Sequence, residues 1–418
     1  MTSRSNSECF VYMTLPGQTD FVTAGRFELT QDRRGTAIGR FVYGRSYLAR
    51  GDAAPIDPVE LRLSDQTYET TRLNGVFGAL RDSGPDDWGR RLIERNAGKT
   101  QLGELDYLLL SADDRAGALG FGPGPQPPGP KRKFNKILEL EKLQNIADAL
   151  MREEQLKPDE ETVQVQELLL LGTSLGGARP KAVVEDDEGL WIAKFNQPGD
   201  RWNNTRVEHA MLELARRCDL TVAASRIVTV AEKDVLLVRR FDREKIAKGY
   251  TRARMISGLT LLRAEETVRD RWSYVLLSEE LRRVVEEPKK DAAELFRRMV
   301  FNALISNIDD HPRNHALLAK EREWKLSPAY DLTPSPVIAQ DRRDLAMEAG
   351  DQGRFANARN LLSQHTRFLL ELDEARSIVS SMTKQVKATW YDLVRAQGVS
   401  QKDAEAIKGA FIYEGFLR

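Results

Sequence analysis

The chain has 418 residues, of which 41% are hydrophobic and 30% are charged. This length and composition predict a globular protein with two or more hydrophobic cores. The 63 Lys and Arg residues are balanced by 63 Asp and Glu residues, so the net charge favours neither a nucleic acid nor an acidic membrane surface as a partner.

Cysteine content and hydropathy predict the compartment. Cys9 and Cys218 are the only cysteines, and their spacing fits neither a metal site nor a disulfide framework. The first residues lack the apolar segment of a secretory signal, and no run approaches the roughly 18 apolar residues of a membrane span. We therefore expect a soluble, cytoplasmic protein with no membrane partner.

The amino-terminal region has the pattern of a β-rich domain. Strand-forming residues cluster at Phe10–Leu15, Gly25–Thr30 and Gly39–Gly44, between Gly and Pro breaks. The segment Gly122–Pro130 is too rich in Gly and Pro for a helix or a strand. We therefore predict a first domain at residues 1–130.

The remaining chain alternates between hairpins and helices and then becomes mostly helical. Helical spacing of apolar residues begins at Phe134, and hairpin patterns occur at Val183–Phe195 and Ile227–Val238. A helical face then runs from Leu295 to Leu304. We predict an α+β protein with a bilobal, protein-kinase-like fold: an additional β-rich domain (1–130), an ATP-binding lobe (131–245) and a mostly helical lobe (246–418).

Three polar residues near the end of that helical face have the spacing of a phosphoryl-transfer site. Asp309 is predicted to orient an acceptor hydroxyl, and Asn314 and Asp331 supply hard oxygen ligands for Mg²⁺. An alternative is that Asn307, Asp309 and Asp310 only cap the helix and start a turn. Asp331 favours the functional interpretation, because an acid among apolar residues needs a partner.

A glycine-rich segment precedes the first hairpin. In Leu171–Lys181, Gly176 and Gly177 permit close approach of backbone N–H groups to phosphate, and Lys181 adds positive charge. The segment lacks the Gly-Lys-Ser/Thr of a Walker A loop. A purely structural turn is the alternative, and the neighbouring strand with Lys194 favours phosphate binding.

Lys194 lies in a strand whose two faces are both apolar. An ammonium group among apolar residues needs an anion as partner. The functional interpretation is that this anion is a phosphate of ATP. A lysine that reaches solvent from an edge strand is the alternative. Glu208, early in the next helix, is the candidate carboxylate partner. His311 is predicted to shape the catalytic loop, and His315 has no assigned role.

Together these residues make the chain similar to the HipA family of bacterial toxin-antitoxin kinases over nearly its whole length. Asn307–Asn314 resembles the catalytic loop of the family, and Ser327–Asp331 resembles its metal-binding segment. Ser174–Lys181 resembles the loop whose serine is autophosphorylated, which implies that role for Ser174. Lys194 aligns with the ATP lysine.

Two further segments carry the resemblance. Leu237–Arg243 is similar to the hinge that holds adenine, which implies nucleotide contacts at Arg239 and Phe241 and places Asp242 near the ribose. The block through Arg81–Arg90 resembles the extra amino-terminal domain. Arg239 stands where an acidic residue is common, a departure that concerns substrate choice.

The resemblance implies an ATP- and Mg²⁺-dependent serine/threonine kinase. Its expected target is a translation component, with an aminoacyl-tRNA synthetase as the leading candidate, and its action is expected to cause growth arrest and persistence. A small HipB-like DNA-binding antitoxin is the expected partner, so DNA association is indirect. The alternatives are a catalytically silent pseudokinase that acts as a corepressor, and a kinase for a small molecule or lipid.

Overall fold

The computed structural model describes residues 7–99, 102–129, 134–136, 139–152, 179–336 and 339–417. The chain forms two compact units. The first consists of Met1–Gln197, Arg240–Thr260 and Leu318–Glu323, and the second of Pro198–Arg239, Leu261–Leu317 and Trp324–Arg418. Both units combine helices and strands, as predicted for an α+β protein. The three-part division of the chain stays a prediction.

The amino-terminal part of the first unit is built on an antiparallel sheet of order β4-β3-β2-β1-β5. Its strands are β1 (Glu8–Thr14), β2 (Phe21–Gln31), β3 (Ala37–Tyr43), β4 (Tyr68–Thr70) and β5 (Leu119–Gly122). The three predicted strand segments fall within or overlap β1, β2 and β3. Apolar side chains from these strands, including Val11, Phe27 and Phe41, are fully buried, so one face of the sheet forms a core.

Helices of this unit lie between the strands of the sheet and after its last strand. The longer ones are α1 (Asp87–Ala97), α2 (Glu104–Leu110) and α3 (Leu140–Met151), and shorter helical segments lie at Arg45–Leu48, Arg72–Gly75 and Gly78–Asp82. The Asp86 side chain caps α1 by accepting a hydrogen bond from the Gly89 N–H at 2.7 Å. The α1 helix buries Trp88, Leu92 and Ile93.

A second group of strands in the first unit carries the predicted ATP lysine. Strand β6 (Asn135–Lys136) pairs parallel with β7 (Lys181–Glu185), and β7 forms an antiparallel hairpin with β8 (Leu190–Phe195). Trp191, Ala193 and Phe195 of β8 are buried on one face, and Leu190 is buried on the other. The hairpin prediction is confirmed.

The second unit begins with a helix and a hairpin. Helix α4 (Asn204–Arg217) is followed by β9 (Ser225–Val230) and β10 (Lys233–Arg239), which pair antiparallel. The turn between these strands places Ala231 and Glu232 at positive φ. Strands β11 (Arg243–Ile246) and β12 (Gly249–Arg252) form a further hairpin, in the first unit. Three short strands follow along the chain, namely β13 (Arg254–Ser257), β14 (Ala316–Ala319) and β15 (Lys325–Leu326). A single helical turn lies at Gly258–Leu261.

The rest of the second unit is mostly helical. Its helices are α5 (Tyr274–Leu281), α6 (Pro288–Leu304), α7 (Ala358–Ser363), α8 (Leu372–Ala396) and α9 (Gln401–Ile407). Helix α6 fully buries its predicted apolar face, namely Leu295, Phe296, Met299, Val300, Ala303 and Leu304. Burial of a Leu, Phe, Met or Val side chain contributes about 1.5–3 kcal/mol, so α6 is held firmly at the start of the loop that follows it. Among the described residues, no helix is long and apolar enough to span a membrane.

Candidate functional site

The chain leaves helix α6 through a turn that hydrogen bonds hold in place. Ser306 has a φ of +52°, and its hydroxyl donates to the Ala410 carbonyl oxygen at 2.6 Å. The Asn307 backbone N–H donates to the Asn302 carbonyl oxygen at 2.8 Å, and its side-chain amide donates to the Asn302 Oδ1 at 3.0 Å. These hydrogen bonds therefore hold the backbone in place at the start of the loop with Asp309.

The loop itself brings Asp309 and Asn314 together. The His311 N–H donates to the Asp309 carbonyl oxygen at 2.8 Å, and the Asn314 N–H donates to the His311 carbonyl oxygen at 2.9 Å. A 3₁₀ turn at Pro312–Asn314 lets the Asn314 side-chain amide donate to the Asp309 carbonyl oxygen at 3.3 Å. Because that bond uses the amide nitrogen, the carboxamide oxygen of Asn314 is the atom available to ligate a cation.

The capping alternative accounts for the neighbours of Asp309 but not for Asp309. The Asn307 side chain binds Asn302, and the Asp310 carboxylate is buried in hydrogen bonds. The Asp309 side chain is exposed, and its carboxylate accepts no hydrogen bond from any residue that the structure describes. An uncommitted carboxylate on a fixed loop is suited to receive an acceptor hydroxyl.

Asp331 lies in an extended segment that is tied to this loop. The Tyr330 hydroxyl donates to the Arg313 carbonyl oxygen at 2.7 Å, and the Ser335 N–H donates to the Ser306 carbonyl oxygen at 3.2 Å. Asp331 itself has a φ of +59°, a left-handed conformation that Asp tolerates better than most residues. These bonds fix the segment on both sides of Asp331.

The oxygen donors of this loop and segment fit a magnesium ion. In the described part of the chain, no group of three or more His, Cys, Asp and Glu side chains is arranged to hold a metal. Mg²⁺ bound together with phosphates needs only one or two protein oxygens and completes its shell with water. Asp331 and the Asn314 carboxamide oxygen are the residues suited to hold it.

A substitution at Asp331 tests this assignment. We expect Asp331→Asn to raise the Mg²⁺ concentration for half-maximal ATP binding at least about tenfold, because an amide is a weaker Mg²⁺ ligand than a carboxylate. Asn also tolerates the left-handed backbone. Calorimetric ATP titrations at graded Mg²⁺ measure the effect, with Asp373→Asn on an exposed turn of α8 as control. An unchanged Mg²⁺ dependence in Asp331→Asn would remove this residue from the metal site.

Asp310 and His315 form a buried pair that the sequence did not predict. The His315 Nε2 lies 2.8 Å from the Asp310 Oδ2, and the Tyr274 hydroxyl donates to the same oxygen. Burial alone would raise the pKa of Asp310, but the charge of His315 and these hydrogen bonds outweigh burial and lower that pKa. The chain offered one signal, the presence of a second acid directly after Asp309.

The predicted ATP lysine has a charged neighbour on its own face of the hairpin. Lys181 and Lys194 are directly opposite each other in the β7–β8 register. The Lys181 ammonium is buried and forms an ion pair with Asp86 at 2.5 Å. Burial raises the pKa of Asp86, and Lys181 opposes that shift. The structure thus gives Lys181, predicted to bind nucleotide, an ion pair with the residue that caps helix α1.

Asp242, predicted to lie near the ribose, is held by a buried ion network. Its carboxylate is buried and accepts hydrogen bonds from Arg240 at 2.8 and 3.0 Å, from Arg243 at 2.7 Å and from the Gly117 N–H at 2.9 Å. Burial opposes ionisation, but the two guanidinium groups lower the pKa of Asp242 far below its usual range. Because both oxygens accept hydrogen bonds from the protein, Asp242 has a structural role, and its ribose contact stays a prediction.

The remaining predicted site residues differ in burial and in their contacts. Arg239 is exposed, and its N–H donates to the Ala224 carbonyl oxygen at 2.8 Å, whereas Phe241 is half-buried. Glu208 is buried on α4, and its pairing with Lys194 stays a prediction. The His311 ring makes an edge contact with Trp272 at 6.3 Å between ring centres, which fits a role in shaping the loop. Ser174, Gly176 and Gly177 lie outside the described residues.

Comparisons with known proteins cover most of the chain. The HipA N-terminal domain matches residues 22–122, and the HipA-like C-terminal domain matches residues 173–390. "Putative kinase Y4mE" of Sinorhizobium fredii is 26% identical over 77% of this chain and 78% of the relative. "Putative kinase" of Haemophilus influenzae is 23% identical over 47% of this chain and 64% of the relative.

A solved structure shares the fold. It is HipA from Shewanella oneidensis MR-1, in a complex of HipA, HipB and operator DNA, and it is 18% identical with a TM-score of 0.69. The match covers 95% of this chain and 94% of the solved chain. The C-terminal domain match alone spans more than half of the sequence. On these grounds the chain belongs to the HipA family.

Proposed function

We propose that this protein is an ATP- and Mg²⁺-dependent serine/threonine protein kinase that acts as a HipA-like toxin. One observation carries the proposal: the exposed, uncommitted carboxylate of Asp309 on a loop whose backbone also holds Asn314. Phosphoryl transfer asks mainly for positioning and charge neutralisation, and this loop offers both an orienting carboxylate and a metal ligand.

Each residue has a distinct part in the proposed reaction. Asp309 accepts a hydrogen bond from the acceptor hydroxyl and takes its proton as the oxygen bonds to the γ-phosphorus, while the bond to ADP breaks. Mg²⁺, held by Asn314 and Asp331, supplies neutralisation of the triphosphate charge. Lys194 binds phosphate oxygens, and Glu208 orients Lys194.

The adenine pocket and the glycine-rich loop complete the proposed nucleotide site. Backbone groups of the hinge at Arg239 and Phe241 hold the adenine, which does not require their side chains. The backbone of Gly176 and Gly177 covers the phosphates. Lys181 contributes its charge to this region while it remains paired with Asp86.

We propose a protein substrate in the cytoplasm, with an aminoacyl-tRNA synthetase as the leading class, and persistence as the consequence of its phosphorylation. We also propose a small HipB-like DNA-binding antitoxin as partner, which makes the link to DNA indirect. The support is family membership and the fold shared with a HipA that was solved with HipB and operator DNA.

The two alternatives are less well supported. A pseudokinase has no need for an exposed Asp309 held beside Asn314, because a silent site is free to lose both groups. A kinase for a small molecule or lipid would use the same residues. Only the identity of the phosphorylated acceptor distinguishes such an enzyme from a protein kinase. Phosphoproteomics after expression of the wild type and of Asp309→Asn makes this decision. Protein phosphosites present only with the wild type support the proposal, and identical phosphoproteomes contradict it.

Autophosphorylation of Ser174 is a further prediction. A phosphate adds about −1.5 to −2 charge, which repels the triphosphate in place or draws the loop outward to basic side chains. We expect mass spectrometry after incubation with Mg²⁺–ATP to locate phosphate on Ser174 rather than Thr173. The modified protein should bind ATP at least about tenfold more weakly than unmodified protein, and Ser174→Ala should keep full affinity. Equal ATP affinity of both forms would contradict the regulatory role.

A further inference from the structure

The loop that carries Asp309 and Asn314 contains a buried contact between the side chains of Asp310 and His315, which we call the bridge. Asp310 directly follows Asp309, and His315 directly follows Asn314. The His315 Nε2 and the Asp310 Oδ2 are 2.8 Å apart, and each side chain is only 2% exposed. This bond therefore joins the positions next to the proposed base and next to the proposed metal ligand.

The bridge is anchored to the helices of the second unit. The Tyr274 hydroxyl on α5 donates to Asp310, and the Tyr274 ring meets the His315 ring edge-on with centres 5.6 Å apart. The Asn302 amide on α6 donates to the Tyr274 oxygen at 3.3 Å, and the Asn302 Oδ1 accepts from Asn307 at 3.0 Å. A continuous set of polar contacts thus connects two helices with both ends of the loop.

The two consecutive acids of the loop have different environments. Asp309 is exposed, whereas Asp310 is buried and is bound by His315 and Tyr274. The His315 Nδ1 is buried and has no hydrogen-bond partner among the described residues, so the bond to Asp310 is what orients the ring. A change in this bond is therefore transmitted to the residues on either side.

Stability alone is a weak reason for such a pair. The cost of removing an ionised carboxylate and a polar ring from water offsets most of their attraction, and apolar residues of similar volume often serve as well. A buried pair can, however, hold a loop in one geometry. Small displacements of reacting groups cause large losses of rate, because transfer requires near-attack distances.

We infer that Asp310 and His315, anchored by Tyr274, are positioning residues that set the separation and direction of Asp309 and Asn314. The inference rests on the proposed kinase function and deepens it. It assigns the bridge to the turnover step, since both side chains of the bridge are buried and act through Asp309 and Asn314. Loss of the bridge should lower kcat far more than it changes the KM for ATP, because Asp331 and Lys194 still bind the metal and the phosphates.

The test compares variants of the bridge with a conservative replacement. We expect His315→Leu to lower kcat about 10- to 100-fold with less than a threefold change in the KM for ATP. His315→Gln places an amide donor near the position of Nε2. The kcat of this variant should equal or exceed the geometric mean of the kcat values of the wild type and His315→Leu. Tyr274→Phe removes one hydroxyl from a buried ring and should lower kcat about three- to tenfold, which keeps the test usable if His315→Leu does not fold.

A buried polar residue away from the loop serves as the control for stability. Asn360 is fully buried and donates to the carbonyl oxygens of Gly353 and Phe355 at 2.9 and 2.8 Å. Asn360→Ala should lower the melting temperature without a loss of kcat at 25 °C. A double variant of Asp310→Asn and His315→Leu should be less slow than the product of the two single effects predicts, because both changes act on the same bond between Asp310 and His315.

The outcomes separate this inference from the proposed function. Wild-type kcat in His315→Leu and Tyr274→Phe, or an equal loss of kcat in Asn360→Ala, would overturn the positioning role while the kinase function stands. Equal activity of the wild type and Asp309→Asn would instead overturn the proposed base. Loss of kcat in the bridge variants, with recovery in His315→Gln, would establish the positioning role.

Discussion

Asp309→Asn is expected to lower kcat by about 10²-fold or more, with ATP binding and the melting temperature unchanged. The Asp309 carboxylate is exposed and accepts no hydrogen bond from a described residue, so the substitution removes a reactive group and no structural contact. The neutral amide cannot take the proton of the acceptor hydroxyl. Steady-state kinetics on the purified variant, with ATP affinity measured separately, test this expectation.

The adjacent acid provides the matched comparison. Asp310→Asn alters a buried carboxylate that binds His315 and Tyr274, so it should lower both the melting temperature and kcat. Asp309→Asn should lower kcat alone. If Asp309→Asn turned over at the wild-type rate, Asp310 or another group would be the base, and the assignment of the loop would be wrong.

Asp242→Ala is expected to cause the largest loss of stability, about 3–5 kcal/mol in the free energy of unfolding. The substitution leaves the guanidinium groups of Arg240 and Arg243 in the interior without their shared carboxylate, although Arg240 keeps its bond to Asp114 at 2.6 Å. Urea unfolding measures the loss. Asp52→Ala is the control, because Asp52 binds Arg50 through both oxygens at an exposed site and should leave the urea midpoint unchanged.

The contribution of Asp242 to the free energy of unfolding should decrease as the pH falls into the acid range. Its pKa in the folded protein lies below that of an unfolded Asp, which is about 3.9, so its contribution to stability is complete above that value. The contribution is lost as the pH falls below about 4 toward the folded-state pKa. The wild type and Asp242→Ala should therefore differ fully at pH 7 and converge only in strong acid. A difference that vanished near neutral pH would contradict the ion network.

Local patterns were sufficient to predict several elements of this protein. The helical spacing of Leu295 to Leu304 predicted a buried face, and all six of its apolar residues are fully buried. The hairpin pattern of Val183–Phe195, with apolar residues on both faces of its second strand, predicted the strand that carries Lys194. These predictions succeeded because the period of apolar residues depends on local geometry, which a short window of sequence records.

Long-range charge pairing could not be predicted in the same way. Lys181 pairs with Asp86 and Arg240 pairs with Asp114, across 95 and 126 positions of the chain. Nothing near Lys181 or Asp242 in the sequence distinguishes a nucleotide contact from a buried ion pair, since both need a charged residue beside apolar ones. The resemblance to a family suggested the first, and the tertiary contacts of Asp242 support the second.

The candidate site shows the same division. The spacing of Asp309 and Asn314 was visible in the chain, because one short loop carries both residues. The role of His315 depends on Asp310 and on Tyr274, which lies 36 positions before Asp310 and meets it only through the packing of helices. A second acid beside Asp309 was the only trace of that arrangement.

Transfer of phosphate from ATP is the measurement that tests the central proposal most directly. Purified wild-type protein and Asp309→Asn are incubated with Mg²⁺ and ATP labelled at the γ-phosphate, with a bacterial lysate depleted of ATP as the source of acceptors. We expect label on serine or threonine of protein with the wild type, and at least about 10²-fold less with the variant. Equal labelling by both proteins, or label only on lipid or small molecules, would contradict it.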